Sequence, residues 1–205
     1  MLAAVPAIVT ILLVVGGGYL LGSIPVANLA ARRRGVSDLR AVGDRNPGYW
    51  NAKEQLGARA ALPVFVGDIA KGALAAGFGT VLAGDGEWWL SYVGGGAAMV
   101  GHAWPLFAKF DGGRSVLTFV GAATVFAPIP ALLAIVAGAI VTVIGRRDLA
   151  RGARTGVASL PFLQLAIEGR YRTAATGALM TFIGFRFIRA TRSARNGDRA
   201  TRGCA

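Results

Sequence analysis

Residues 101–116, GHAWPLFAKFDGGRSV, place several polar groups between two apolar stretches. A glycine pair before a helix start offers backbone N–H groups and the positive end of the helix dipole to an anion. An arginine adds a bidentate donor, and a histidine can donate a hydrogen bond or move a proton. We therefore predict an anion site from Gly112, Gly113 and Arg114 with His102 beside it; a structural histidine at a helix end is the alternative.

A second polar segment, GVSDLRAVGDRNPGYWN, covers residues 35–51. Glycine and asparagine accept unusual backbone angles, so successive N–H groups can converge on an anion. The arginines add positive charge. The segment predicts a phosphate cradle, and an ordinary polar loop is the alternative. The candidate residues are Arg40, Gly43, Asp44, Arg45, Asn46, Gly48 and Asn51.

Two further positions carry polar groups that could matter. Asp68 and Lys71 are three residues apart inside an apolar stretch, so they share one helix face. Charges there are normally paired or functional, and we predict a structural ion pair. Ser159 is a weaker candidate, which either contributes a hydrogen bond to the site or packs between helices.

Composition indicates a membrane protein. The chain has 205 residues, of which 54% are hydrophobic and 16% charged, against about 25% charged in soluble domains. Its 30 glycines predict close helix packing. The net charge of +12 does not indicate nucleic acid, because the basic residues lie between apolar runs. With Cys204 as the single cysteine and no metal or nucleotide motif, we expect no disulfide, metal or cofactor.

The apolar runs predict an all-α polytopic membrane protein of about seven transmembrane helices, or five if the short fourth and sixth do not cross. Pro128 and Pro130 predict a tight turn between two of them. The predicted spans are 5–29, 60–83, 88–107, 115–128, 129–145, 156–167 and 172–188.

The basic residues predict the orientation. Nineteen of the 22 Lys and Arg residues fall on one predicted side, which places that side in the cytoplasm, the N-terminus outside and the C-terminus inside. We expect one transmembrane domain over 1–188 and a basic cytoplasmic tail over 189–205. The arginines at 186, 189, 192 and 195 either form a helical face for anionic lipid or belong to a disordered end.

The two polar segments resemble the motifs of the bacterial acyl-phosphate:glycerol-3-phosphate acyltransferases, and the resemblance covers about residues 1–125. The D-x-x-K-G pattern of that family matches Asp68, Lys71 and Gly72. Its first motif matches Gly22, Ser23, Ile24, Pro25, Gly35, Asp38, Leu39, Arg40, Gly43, Asn46, Gly48, Asn51, Leu56 and Gly57. Its second matches Gly101, His102, Trp104, Pro105, Phe107, Phe110, Gly112, Gly113, Val116, Thr118 and Gly121.

The chain departs from the family pattern at several positions. Asp44 and Arg45 replace a serine and a glycine, and Arg114 replaces a lysine. Asp44 would repel a phosphate unless Arg45 or a substrate proton offsets its charge. The third motif is only partly visible, with Ser159 matching its serine and Arg186 standing near the expected histidine.

The resemblance implies transfer of a fatty acyl group from acyl phosphate to the sn-1 hydroxyl of glycerol 3-phosphate, giving lysophosphatidic acid at the cytoplasmic face of a bacterial plasma membrane. It implies catalytic roles for His102, Arg114, Asn51 and Ser159, with the candidate residues of both loops binding the two phosphates. The expected partners are these substrates and membrane lipids, with no nucleic acid. A catalytically degenerate member, acting as a scaffold or anionic-lipid binder, is the alternative.

Overall fold

The computed structural model describes the backbone of residues 6–202 and the side chains of residues 6–191. The described chain is a bundle of helices, as predicted. Arg192, Arg195 and Cys204, on which predictions for the tail depend, lie outside the described side chains. The helices are α1 (Ala7–Gly22), α2 (Val26–Arg32), α3 (Tyr49–Leu56), α4 (Ala58–Leu82), α5 (Trp89–Ala103), α6 (Val116–Phe126), α7 (Pro128–Ile144), α8 (Leu149–Glu168) and α9 (Arg170–Arg202), with single 3-10 turns at Leu39–Ala41 and Leu106–Ala108.

The first predicted span is not one uninterrupted helix. α1 ends at Gly22 and α2 begins at Val26. Pro25 has no N–H to donate to the preceding turn, and the Ser23 hydroxyl donates to the Tyr19 carbonyl at 2.8 Å. The break therefore places the GSIP residues at a corner of the chain instead of inside a helix.

The sixth predicted span begins too late in the sequence. α8 starts at Leu149, because the Asp148 carboxylate caps it by accepting from the Arg151 backbone N–H at 2.9 Å. Arg151 and Arg154 consequently belong to the helix and not to the preceding loop. α9 likewise continues without a break past residue 189, where the tail was predicted to begin.

The prolines after α6 act as predicted. Ala127 leaves the helical conformation, and Pro128 begins α7 as its first residue, a position where the missing N–H costs nothing. α6 has 11 residues and so extends only about 16 Å. Within the described chain, Ala7–Arg32 and Ala58–Leu82 are long and apolar enough to cross a bilayer, whereas Val116–Phe126 and Pro128–Ile144 are shorter apolar helices.

Glycines permit the close helix packing that the composition indicated. A Cβ at Gly72 of α4 would collide with the Thr118 carbonyl of α6, and a Cβ at Gly121 would collide with the Ile69 carbonyl of α4. The two helix backbones therefore touch directly, as small residues allow in membranes. This contact brings the N-terminal end of α6 against the middle of α4.

Two apolar clusters hold the bundle together. The larger lies between α4, α5, α6, α7, α8 and α9 around Phe119, Met99 and Phe126. The smaller packs Leu39 and Val64 together and so fixes the segment after α2 onto α4. Large apolar side chains also cover the outer faces of the helices, for example Leu12, Leu62 and Val143. An apolar exterior of this kind suits contact with lipid.

Candidate active site

Two loops form the polar end of the bundle, and Arg40 joins them. Loop A is residues 33–48, between α2 and α3, and loop B is residues 104–115, between α5 and α6. The Arg40 guanidinium binds the Asp38 carboxylate and donates from Nη1 to the Ala108 and Asp111 carbonyls at 2.9 and 3.0 Å. Hydrogen bonding to Arg40 lowers the pKa of Asp38 below its usual value. Arg40 therefore fastens one loop to the other.

Asp44 and Arg114 form the second link between the loops. Arg114 Nη1 lies 3.0 Å from Asp44 Oδ2, and the Arg114 guanidinium stacks over the Phe187 ring at 4.8 Å. The sequence suggested Arg45 as the charge that offsets Asp44, but the structure gives that role to Arg114. Two departures from the family pattern thus contact each other.

Asn51 holds loop A in shape through hydrogen bonds to its backbone. It is almost fully buried, and its Nδ2 donates to the Leu39 and Val42 carbonyls at 2.9 and 3.0 Å. Both side-chain N–H groups are therefore used inside the loop, whereas the sequence predicted that Asn51 would offer donors to phosphate. Gly43 adopts a positive φ of 58° against Asn51 Oδ1, so only glycine fits there without strain.

The backbone of loop A also bonds to itself. Arg45 N–H donates to the Val42 carbonyl, Asn46 N–H to Asp44 Oδ1 and Gly48 N–H to the Asn46 carbonyl, at 3.1, 3.0 and 2.8 Å. The predicted convergence of these N–H groups on an anion is not what the structure shows. Arg45 has a φ of 58°, which explains the preference of the family motif for glycine at this position.

The glycine pair of loop B is likewise engaged. Gly112 N–H donates to the Ala103 carbonyl and Gly113 N–H to the His102 carbonyl, both at 3.1 Å. The prediction of free N–H groups at this pair is therefore wrong. The glycines are required for another reason, since a Cβ on Gly113 would collide with the His102 ring and one on Gly112 with Pro105.

Arg186 of α9 donates hydrogen bonds to the backbone of loop B. Its Nη2 donates to the Gly112 carbonyl at 2.9 Å and its Nε to the Gly113 carbonyl at 3.2 Å, while its guanidinium lies 4.9 Å from the Trp104 ring centre. The sequence placed Arg186 near a family histidine but did not predict it as a site residue. A basic residue on a predicted helix face was the only available signal.

A cleft opens between the loops and α4, with a buried triad of ionisable side chains at its base. Lys71 Nζ lies 2.8 Å from Asp68 Oδ1, which confirms the predicted pair, and His102 Nδ1 lies 3.5 Å from the same oxygen. All three side chains line the cleft together with Gly112 and Gly113, and about 280 Å³ of open space lies inside it and at its mouth. The rest of the lining includes Gly22, Pro25, Asn28, Pro47, Pro105 and Asp111.

Asn28 is a cleft residue that the motifs did not predict as functional. It is nearly buried on α2, and among the described atoms its Oδ1 has no hydrogen-bond partner. A polar residue in the first apolar stretch was the signal that could have found it. Ser159, in contrast, donates to the Gly156 carbonyl of its own helix at 2.9 Å and is not among the residues that line the cleft.

The helices with apolar outer faces and the polar cleft at one end of the bundle are features of an integral membrane protein. The chain belongs to the glycerol-3-phosphate acyltransferase family, because the sequence model of that family matches residues 11–197. It is 38% identical to glycerol-3-phosphate acyltransferase 5 of Dehalococcoides mccartyi (strain 195) over 85% of this chain and 74% of the relative. It is 42% identical to the enzyme of Symbiobacterium thermophilum, over 62% of this chain and 61% of that one.

Solved structures show the same fold. The chain resembles the crystal structure of PlsY (YgiH), an integral membrane glycerol 3-phosphate acyltransferase, in its glycerol 3-phosphate form, with a TM-score of 0.77 and 26% identity over 91% of this chain and 92% of that one. The lysophosphatidic acid form of that protein has a TM-score of 0.74 and 24% identity over the same shares, which supports the fold alone.

Proposed function

We propose that this membrane glycerol-3-phosphate acyltransferase transfers a fatty acyl group from acyl phosphate to the sn-1 hydroxyl of glycerol 3-phosphate, releasing lysophosphatidic acid and inorganic phosphate. The observation that carries the proposal is the cleft beneath loops A and B, where His102 lies against Asp68 and Lys71. Two phosphates repel each other, so a site for both substrates needs several cations close together.

An activated donor explains the composition of the cleft. The residues that line it include no serine, threonine or cysteine, so the described cleft offers no hydroxyl or thiol side chain as a covalent nucleophile. Acyl phosphate does not need one, because phosphate is already a good leaving group. The protein has to bring the hydroxyl to the carbonyl carbon and stabilise the charge that develops.

His102 is the residue best placed to handle the proton. Its Nδ1 faces the Asp68 carboxylate at 3.5 Å, an arrangement that favours the proton on Nδ1 and leaves Nε2 as the acceptor. The hydroxyl oxygen forms a bond to the acyl carbon, the bond from that carbon to the phosphate oxygen breaks, and Nε2 accepts the hydroxyl proton. Lys71, held by Asp68 and by the Ile24 carbonyl at 3.4 Å, adds positive charge beside the reacting groups.

Arg114 and Arg40 contribute positive charge at the loops, where we place the phosphates. Asn51, with both N–H groups used, acts by holding loop A in shape. Gly112 and Gly113 provide a close-fitting wall against His102. For Ser159 we keep a role in helix packing, because its hydroxyl bonds to its own helix.

We further propose that the chain crosses the plasma membrane several times with this cleft at the cytoplasmic face. The positively charged loops and tail support this orientation, and cytoplasmic metabolites could then reach the cleft. In a background with Cys204→Ser, a membrane-impermeant thiol reagent should label Asn46→Cys only after permeabilisation, and Asp85→Cys in intact cells. Labelling of Asn46→Cys in intact cells would contradict the orientation.

The decisive experiment supplies purified full-length protein with palmitoyl phosphate and labelled glycerol 3-phosphate. We expect labelled 1-acyl lysophosphatidic acid, with palmitoyl-CoA and palmitoyl-acyl carrier protein as parallel donors and His102→Gln as the inactive control. Product from a thioester donor only would overturn the proposed donor, and a 2-acyl product would overturn the proposed position. No product from folded protein with any donor would favour the scaffold alternative.

A further inference from the structure

The contact between Asp44 and Arg114 suggests a function of its own. Asp44 Oδ2 lies 3.0 Å from Arg114 Nη1, so a carboxylate already occupies one edge of a guanidinium at the loops above the cleft. We propose that Asp44 is an internal competitor of the substrate phosphate, occupying Arg114 until an anionic head group displaces it. This inference rests on the proposed function in that a phosphate is expected to reach Arg114.

Loop A holds the Asp44 carboxylate in place for this role. Its other oxygen, Oδ1, accepts from the Asn46 backbone N–H at 3.0 Å. The residues on either side of it, Gly43 and Arg45, both have a φ of 58°. The turn therefore presents the carboxylate to loop B.

Arg114 remains available to a second anion. Its side chain is about one quarter exposed and that of Asp44 about 39% exposed, so water and small ions reach the pair. The Phe187 ring supports one face of the guanidinium at 4.8 Å. Partly exposed ion pairs of this kind are weak, and a dianionic phosphate can replace a single carboxylate.

According to this proposal, the effect of Asp44 on phosphate binding depends on an arginine at position 114. The Arg114 guanidinium contacts the carboxylate through Nη1, and its planar, rigid donor set makes this contact directional in a way that the compact ammonium of a lysine does not reproduce. The family pattern described above has serine and lysine at these two positions. The pair in this chain should consequently give weaker binding of glycerol 3-phosphate than the serine and lysine combination.

The test measures binding of inorganic phosphate and of glycerol 3-phosphate to the full-length protein in micelles by calorimetry. Asp44→Asn removes the charge but keeps an oxygen that can accept from Asn46 N–H, and Asp44→Ser restores the family residue. Both should lower Kd about two- to five-fold, the range expected for release of an exposed ion pair. Asp85→Asn, the same charge change in a distant exposed turn, should leave Kd unchanged.

An unchanged or higher Kd in both Asp44 variants would overturn the proposal, because the pair would then only tie the loops together. Arg114→Gln provides the second criterion. In that background Asp44→Asn should have no effect, since there is no guanidinium to release. An equal gain in both backgrounds would mean that Asp44 repels the ligand directly, and would also overturn the proposal.

Turnover distinguishes this inference from the proposed function. If the wild-type protein makes lysophosphatidic acid, the KM for glycerol 3-phosphate should fall with Kd in Asp44→Asn. If no donor gives product, the proposed function fails, whereas tighter phosphate binding by Asp44→Asn would still support the competition for Arg114.

Discussion

Helix α5 carries a buried polar cluster near each end, and the two clusters differ in how fully their groups are bonded. The Gln164 cluster consists of Tyr92, Gln164, Glu168 and Thr176. Gln164 Nε2 donates to the Tyr92 hydroxyl at 2.7 Å and to Glu168 Oε2 at 2.8 Å, and Gln164 Oε1 accepts from the Thr176 hydroxyl. Both polar atoms of the Gln164 side chain are thus paired.

The His102 cluster, ten residues further along α5 and so about 15 Å away, is less complete. It consists of Asp68, Lys71 and His102. Among the described atoms, His102 Nδ1 and the neighbouring Asn28 Oδ1 make no hydrogen bond. Buried polar groups are nearly always satisfied, so the incomplete pairing supports the substrate site that we propose at the cleft, and the complete pairing at the other end supports a structural role there.

Strained backbone conformations are also concentrated at the cleft end of the bundle. Six described non-glycine residues have a positive φ, and four of them, Arg45, Lys109, Phe110 and Ser115, lie in loops A and B. Such conformations store free energy and concentrate at functional sites. The cleft end of the bundle is therefore built for binding at some expense of stability.

The largest effect should come from His102. His102→Gln keeps a polar side chain but removes the proton acceptor, and general-base catalysis is worth about 10²- to 10⁴-fold. We expect kcat to fall by at least about 100-fold, with the melting temperature in micelles nearly unchanged. A variant that keeps more than a tenth of wild-type kcat would show that another group, such as the leaving phosphate, takes the proton.

Arg186 should have the next largest effect. It donates two charged hydrogen bonds to the carbonyls of loop B. Because water can partly replace them, we expect a net loss equal to about one such bond, roughly 1.5–3 kcal/mol, so Arg186→Met should lower kcat/KM roughly 10- to 100-fold. Arg189→Met, an exposed arginine one turn further on α9, is the matched control and should stay near wild type. Equal losses in both variants would point to the net charge of α9 and not to contacts with loop B.

Arg186 also shows what the sequence could not predict. The motifs located both loops, and the three-residue spacing of Asp68 and Lys71 predicted their pair, because these signals are local. The contact of α9 with loop B joins residues more than 70 positions apart, so it depends on how the helices pack. The Gly112 and Gly113 N–H groups bond to the nearby Ala103 and His102 carbonyls; these bonds depend on the exact conformation of loop B, which the motif does not specify.

Some errors were avoidable from the sequence. Asp148 stands immediately before α8, and an aspartate at that position is a common start signal for a helix. Gln164 is a polar residue inside a predicted apolar span, a pattern that predicts a buried hydrogen-bond network. Neither signal required knowledge of the fold.

Changes in the Gln164 cluster should alter the free energy of unfolding and leave kcat unchanged. Thr176→Val has nearly the same shape but leaves Gln164 Oε1 without its donor, so it should lower the free energy of unfolding by about 1 kcal/mol, within the range for interhelical hydrogen bonds in membranes. Thr181→Val on the same helix is the control, because Thr181 is exposed and bonds only to its own helix carbonyl. A loss of kcat in Thr176→Val without a loss of stability would contradict the comparison of the two clusters.

The smallest effect should come from the strained backbone of loop A. Arg45 has a φ of 58°, which an L-amino acid adopts at a cost that glycine avoids. Arg45→Gly should therefore raise the free energy of unfolding by roughly 0.5 kcal/mol, after subtracting the larger chain entropy of unfolded glycine. Arg34→Gly is the control, because it removes the same charge from a residue that is not among those with positive φ. Thermal unfolding in micelles should show that Arg34→Gly lowers the free energy of unfolding. A gain in Arg34→Gly equal to that in Arg45→Gly would mean that relief of charge repulsion, and not of backbone strain, sets the stability of this end of the bundle.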